Sequence, residues 1–231
     1  MVGSAFAQVL THVAASVLGN LLATVLSIPI VLMVGALAFG TRSLSVIPLG
    51  VTLLVAVLPN PCTAGIQSVA HELALGEDIT FRDHWQGFRR YARLAGIAWL
   101  GSVAVTAVIL ANLAFYAHAV GASGGILQAI APVLFFLWLL LCIPWISLHL
   151  YVFPLLIEQE VKSIPLIYRN AFLMAMGRPA VLLVVVPLWL ALLVIFSTTG
   201  VVTFIGLALS ASIQQNATKK LLPTFRLVAG S

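Results

Sequence analysis

"LPNPCTAGIQSVAHELALGEDITFRDHWQGFRRYARL" (residues 58–94) places Pro59, Asn60 and Pro61 inside an apolar run that otherwise reads as a membrane helix. Pro61 removes a backbone donor and its ring clashes with the preceding turn. In lipid, the freed carbonyls find no water and must be satisfied by the protein. Asn60 and Thr63 stand beside the break and can do part of this. Small residues follow at Ala64, Gly65, Ser68 and Ala70, which lets another helix approach closely. Two readings stay open: a kink with a packing face, or a discontinuity that lines a substrate pathway, as broken helices do in transporters. The candidates for such a pathway are Asn60, Pro61 and Thr63 here, with Pro144 and His149 in a later segment.

Composition sets the solvent. The 231 residues are 62% hydrophobic and 7% charged, with mean hydropathy +1.16. Soluble domains carry roughly 25% charged residues, so this surface expects lipid. The net charge of +5 is too thinly spread for a nucleic-acid binder. Residues 1–41 hold no Lys or Arg, so the long apolar start reads as retained and not as a signal peptide. Cys62 and Cys142 lie far apart and read as two buried thiols.

Apolar runs suited to crossing a bilayer cover 13–39, 44–75, 94–119, 127–157 and 180–198, with a shorter one at 200–215. With six segments and both termini cytoplasmic, ten of the eleven Lys and Arg fall on one side, the exception being Arg42. The expected fold is therefore all-α: a polytopic transmembrane bundle of five to six helices in the bacterial inner membrane. It forms a single domain over 1–231. A five-segment version would leave the basic residues of the tail outside and fits less well.

Two cytoplasmic connections carry amphipathic helices. In the first, Thr80 and Asp83 form a variant of the capping box. Phe81, Trp85, Phe88 and Ala92 then recur at helical spacing among Arg82, Arg89, Arg90 and Arg93. Aromatic and basic residues in this pattern suit an interface-lying helix in contact with anionic lipid, or a docking surface for transporter subunits. In the second, Ser163 caps, Pro165 takes the first turn, and Tyr168, Arg169 and Phe172 follow.

The two connections belong to a probable internal helical-hairpin repeat. Pro61 and Pro144, Val69 and Val152, Leu73 and Leu156, and Glu77 and Glu160 are identical pairs, each 83 residues apart. Thr80 falls on Ser163 and Trp85 on Tyr168 at the same offset. The units run over about 13–93 and 94–179, followed by a final hairpin at 180–215 and a cytoplasmic tail at 216–231.

Catalytic vocabulary is sparse. "HELAL" (71–75) has Leu75 where a zinc-binding HExxH motif needs His, and no Cys or His cluster has metal-ligand spacing. No nucleophile, base and orienting group assemble into a recognisable set. No cofactor, metal or catalytic residue is expected. His71 and Glu72 are read as snorkelling or pairing with nearby arginines. His149 is read as an interior histidine bonded to a hydroxyl on another segment. Asn20, Asn112 and Gln128 are read as interhelical hydrogen-bond formers.

Residues 58–94 resemble the signature region of the YesL-like bacterial integral membrane proteins, a domain of unknown function. The likeness falls on Pro61, Thr63, Ala64, Gly76, Glu77, Phe81, Arg82, Asp83 and Phe88. "GNLLATVLSIP" (19–29) is similar to that family's first helix, and Asn170 and Ala171 to its later cytoplasmic stretch. An added apolar stretch at about 30–57 departs from the pattern. The resemblance implies a non-enzymatic accessory or scaffold protein associated with carbohydrate uptake. A small transporter or channel with a pathway at the proline-broken helices is the alternative.

Overall fold

The computed structural model describes residues 17–26, 60–121, 125–160, 162–177, 183–189, 191 and 206–229. Among them every regular element is helical, in the order α1 (Val17–Leu26), a 3-10 turn (Pro61–Thr63), α2 (Ala64–Leu75), α3 (Phe81–Gly121), α4 (Ile126–Glu158), α5 (Ile164–Gly177), α6 (183–189) and α7 (Gly206–Ala229). Residues 27–59 and 192–205, which hold parts of the expected runs 13–39, 44–75, 180–198 and 200–215, lie outside the described residues.

The Asn60–Pro61 pair begins a helix. Asn60 is extended (φ −118°, ψ 157°), and its side-chain oxygen accepts hydrogen bonds from the amides of Cys62 (2.9 Å) and Thr63 (3.1 Å). These are two of the donors that a helix start leaves orphaned. Pro61 occupies the first helical position, where a missing N–H is harmless. Of the two expected readings, a kink inside a running helix is therefore corrected to a capped start. α2 ends at Gly76 in the left-handed conformation (φ 83°), its amide bonded back to Glu72 and Leu73. Glycine alone adopts this geometry without strain.

α3 corrects a second expectation. The amphipathic stretch 80–94 and the apolar run 94–119 form one helix of 41 residues, not an interface helix followed by a span. Its start is fixed by Thr80 and Asp83: the carboxylate accepts from the Thr80 amide and hydroxyl, both at 2.7 Å. No proline separates Arg93 from Leu94, and Gly96 and Gly101 are tolerated, so the helix has no reason to stop. At about 1.5 Å per residue it is roughly 60 Å long.

Pro144 corrects a third. It lies, with Pro132 and Pro154, inside a continuous α4 of 33 residues. The helix continues through all three, and side-chain donors reinforce the turns beside Pro144: Ser147 Oγ to the Ile143 carbonyl (2.6 Å) and His149 Nδ1 to that of Trp145 (2.7 Å). α7 also differs from expectation. It runs unbroken past residue 215, so 216–229 continues a helix and is not a separate tail.

The buried core lies where the last three turns of α4 meet α2, α3, α5 and α7, with Tyr151, Leu155, Ile167, Met174, Trp189 and Ile213 at its centre. Beyond it, α3 and α4 continue outward as a hairpin of exposed apolar residues. Within α3 and α4, the stretches Phe81–Val120 and Gln128–Glu158 are long and apolar enough to cross a membrane.

Close packing decides how α2 meets α3. A Cβ added at Gly65 would stand 2.3 Å from the His84 carbonyl oxygen, and one at Gly87 would stand 2.5 Å from the Ser68 Cβ. Gly65→Ala is therefore expected to lower stability by about 1–3 kcal/mol through overpacking. Gly96→Ala, with open space around its Cβ, is expected to be neutral or to gain about 0.5–1 kcal/mol. Thermal unfolding in detergent reads both; a Gly65→Ala protein as stable as Gly96→Ala would contradict the α2–α3 contact.

Candidate functional site: a buried polar seam

His149 sits at the centre of the interior polar groups and is fully buried. Its Nδ1 lies 2.7 Å from the Trp145 carbonyl, so Nδ1 carries the proton and Nε2 is an acceptor. Nε2 is 3.0 Å from Ser102 Oγ on α3, which donates to it. The Tyr168 hydroxyl from α5 contacts Ser102 Oγ and lies 3.0 Å from the Ala98 carbonyl, so its proton is shared between them. Trp145 packs edge-on to His149 with ring centroids 4.7 Å apart, and its indole N–H donates to Thr106 at 3.0 Å. Three helices are thereby clasped by polar contacts spaced i, i+4 on two of them: Ser102 and Thr106, Trp145 and His149.

The seam extends from His149 to α7 and α2. Gln214 Nε2 donates to the His149 carbonyl (3.3 Å), and Gln67 Nε2 donates to Gln214 Oε1. Gln215 Nε2 donates back to the Gln67 carbonyl at 3.4 Å, and Thr218 Oγ1 bonds the Gln214 carbonyl at 3.0 Å. All three glutamines are buried. Gln67 Oε1, Gln215 Oε1 and Ser212 Oγ have no hydrogen-bond partner among the described residues.

The expected residues divide between two places. His149 finds the hydroxyl partner read for it, in Ser102. Asn60 caps the helix start and Thr63 Oγ1 donates to the Asn60 carbonyl at 3.4 Å; both precede α2, which carries Gln67 one turn on. Pro144 belongs to the turn before Trp145 and lines no break. Tyr168 is corrected from a surface position: its hydroxyl points inward, while Arg169 stays exposed. Phe81, Trp85, Arg89, Arg90 and Arg93 are exposed on the first turns of α3. Phe88 is half-buried and stacks on Trp85 at 5.5 Å between centroids. Asn112 bonds within its own helix, to the Val108 carbonyl at 2.8 Å, and not across helices.

At the end of α4, His71 Nδ1 lies 3.0 Å from Glu158 Oε1, so its partner is a carboxylate and not an arginine. Lys162 Nζ caps α4 by donating to the carbonyls of Leu156 (2.9 Å) and Ile157 (2.7 Å). Burial, and next the charge of Arg90, hold the Lys162 pKa below its ordinary value.

The seam was not visible as a site in the sequence. Ser102, Thr106, Trp145, Gln67, Gln214 and Gln215 follow no motif; their signal is polar residues isolated in apolar helices. Chemically the Ser102–His149 pair has the nucleophile–base distance of a dyad. However, a backbone carbonyl stands behind the imidazole where a carboxylate would polarise it. Ser102 is also fully buried and faces Tyr168. No group of three or more His, Cys, Asp or Glu is placed to hold a metal among the described residues.

The chain matches no family model, no curated protein and no solved structure.

Because Ser102 is shared by His149 and Tyr168, their effects on stability are coupled. Ser102→Ala and Tyr168→Phe are each expected to cost about 1 kcal/mol, and the double variant less than their sum by about 0.5 kcal/mol or more. Strict additivity in a double-mutant cycle would contradict the clasp.

Proposed function

We propose that this chain is a polytopic inner-membrane helical bundle that acts as a non-enzymatic accessory or scaffold protein. The observation that carries the membrane reading is the outer half of α4. Val133, Phe136, Leu137, Leu139, Leu140, Leu141 and Ile143 spread over more than half of the helix circumference, and all are 43–61% exposed. In water each would forgo about 1 kcal/mol of burial free energy. Together they approach the whole stability of a small domain, about 5–15 kcal/mol. A core helix of a soluble protein hides such residues, whereas 6% of the most apolar stretch of α4 is buried. Polar side chains are instead gathered inside, an arrangement suited to lipid.

Depth agrees with this. Ser102 lies nine residues beyond Arg93, and His149 nine residues before Glu158, which puts both about 13 Å from a charged level. Half of a hydrocarbon core is about 15 Å, so the clasp falls near the midplane.

Element ends support the two-unit repeat. The last residues of α2 and α4, Leu75 and Glu158, stand 83 residues apart, and so do the first residues of α3 and α5, Phe81 and Ile164. Burial follows the same offset: His84 and Ile167 are both buried, as are Tyr91 and Met174. The scaffold reading rests on interior polar groups that are largely spent on holding helices together. The exposed side of α5, with Arg169, Phe172, Leu173 and Met176, is a surface for a transporter subunit. The carbohydrate-uptake setting comes from the YesL-like resemblance. A small transporter or channel is the second reading, favoured by the unpartnered Gln67, Gln215 and Ser212 oxygens between α2 and α7.

Carbonate washing of membranes is expected to leave the chain in the pellet; its release into the soluble fraction would overturn the membrane reading. A photo-cross-linking residue at Phe172 is expected to capture one defined membrane protein in native membranes. Lipid adducts alone would count against the scaffold role. Ion or sugar flux by the protein reconstituted in liposomes would favour the transporter instead.

A further inference from the structure

The two helix starts related by the 83-residue offset carry opposite chemistry on the same face. Arg82, Arg89, Arg90 and Arg93 on α3 stand where Pro165, Phe172, Leu173 and Met176 stand on α5, and all eight are exposed. A requirement to keep basic residues on one side of a membrane would be met by any placement in the two connections. It does not explain a stripe on one helix and its absence from the counterpart. On α3 the residues 82, 89 and 93 fall within a narrow arc of the helical wheel. Phe81 and Trp85, 44% and 42% exposed, fill the adjoining arc.

Arg90 lies near enough to Glu72, and Arg82 to Asp83, for their charges to be felt, but none of these arginines makes a direct ion pair among the described residues. The nearest acidic residue in the chain, Asp83, is engaged by Thr80 through its Oδ2. The ion pair found among the described residues is His71 with Glu158. Arg90 rests 5.3 Å from the centre of the Tyr91 ring, and among the described residues Arg82, Arg89 and Arg93 stand exposed with no direct ion pair. The same helix carries no Asp, Glu, Lys or Arg from Leu94 onward, so Arg93 lies within a turn of the level where hydrocarbon begins. An anion is called for at that level, and an amphipathic aromatic side chain stands beside it.

We propose that this face of α3 binds the phosphates of anionic phospholipids. Arg82, Arg89 and Arg93 pair with headgroup phosphates, and Trp85 and Phe81 lie at the glycerol level. Guanidinium forks match phosphate oxygens in bidentate geometry, and indole rings prefer the bilayer interface. The three arginines span about 16 Å of helix, so they engage more than one headgroup. The inference rests on the membrane reading above and goes beyond it by assigning lipid selectivity to one hairpin.

The test uses the full chain in nanodiscs of phosphatidylcholine with increasing phosphatidylglycerol. Bound lipid is read by native mass spectrometry and stability by thermal unfolding. The wild-type protein is expected to retain phosphatidylglycerol over phosphatidylcholine and to melt later as its fraction rises, with the gain weakening in high salt. Arg89→Gln with Arg93→Gln is expected to reduce that preference about fivefold per arginine, while Arg169→Gln leaves it unchanged. Should the double variant fail to assemble, Arg82→Gln alone gives the same reading. Equal retention of the two lipids by the wild type, or an undiminished preference in the variants, overturns the proposal. A chain that enters nanodiscs without this preference overturns it alone; a chain that does not enter them overturns the membrane reading as well.

Discussion

His149 holds four helices at one point. Its ring joins Ser102 of α3 and packs against Tyr168 of α5, and its carbonyl accepts Gln214 of α7, all on the frame of α4. In an apolar medium the alternative to such bonds is an unsatisfied polar group. Dispersion alone can hold greasy helices side by side, but it does not choose a register; directional bonds do. The Gln67–Gln214 contact then ties α2 to the same node. Remove the node and the helices still have reasons to associate, but fewer reasons to associate in one way.

Around that node the molecule is arranged by exclusion. Small residues at Gly65 and Gly87 let α2 and α3 come close enough for their backbones to touch. Side chains with large apolar surface are pushed to the outside of α3 and α4. α3 beyond Arg93 and α4 before Glu158 carry no Asp, Glu, Lys or Arg, and at the charged end His71 meets Glu158 and Lys162 closes α4. The basic stripe of α3 sits at this charged level, continuous with a span that no proline interrupts. That continuity makes the stripe a rigid extension of the bundle, unlike a helix floating on a hinge.

Much of the helical plan was legible in the sequence because its signals are local. The Thr80–Asp83 cap is decided within four residues of chain, whereas the Asn60–Pro61 start, equally local, reads in the sequence as a break because apolar residues continue on both sides. His149 drew attention because an isolated imidazole in a run of leucines must find a partner. What could not be read was tertiary. Whether Pro144 breaks α4 depends on how many neighbouring bonds survive. Whether Arg93–Leu94 is a joint depends on the absence of any competing cap. Tyr168 resembles Trp85 in position, yet its hydroxyl turns inward because Ser102 and the Ala98 carbonyl are there to meet it. The three glutamines form a site only after α2 and α7, some 147 residues apart in chain, are packed together.

The central claim is that the outer half of α4 turns a broad exposed arc to lipid and keeps only the face of Leu134, Trp138 and Cys142 half-buried, while its inner half faces protein. A nitroxide scan of α4 in nanodiscs, residues 133–143 and 148–156, measures this most directly. Collisions with dissolved oxygen and with a water-soluble nickel chelate report the two environments. The account predicts strong oxygen and weak chelate contact at 133, 136, 137, 139–141 and 143, weaker oxygen contact at 134, 138 and 142, and little contact with either in the second range. A three-to-four-residue oscillation of chelate contact across 133–143 would show one wet face and contradict it.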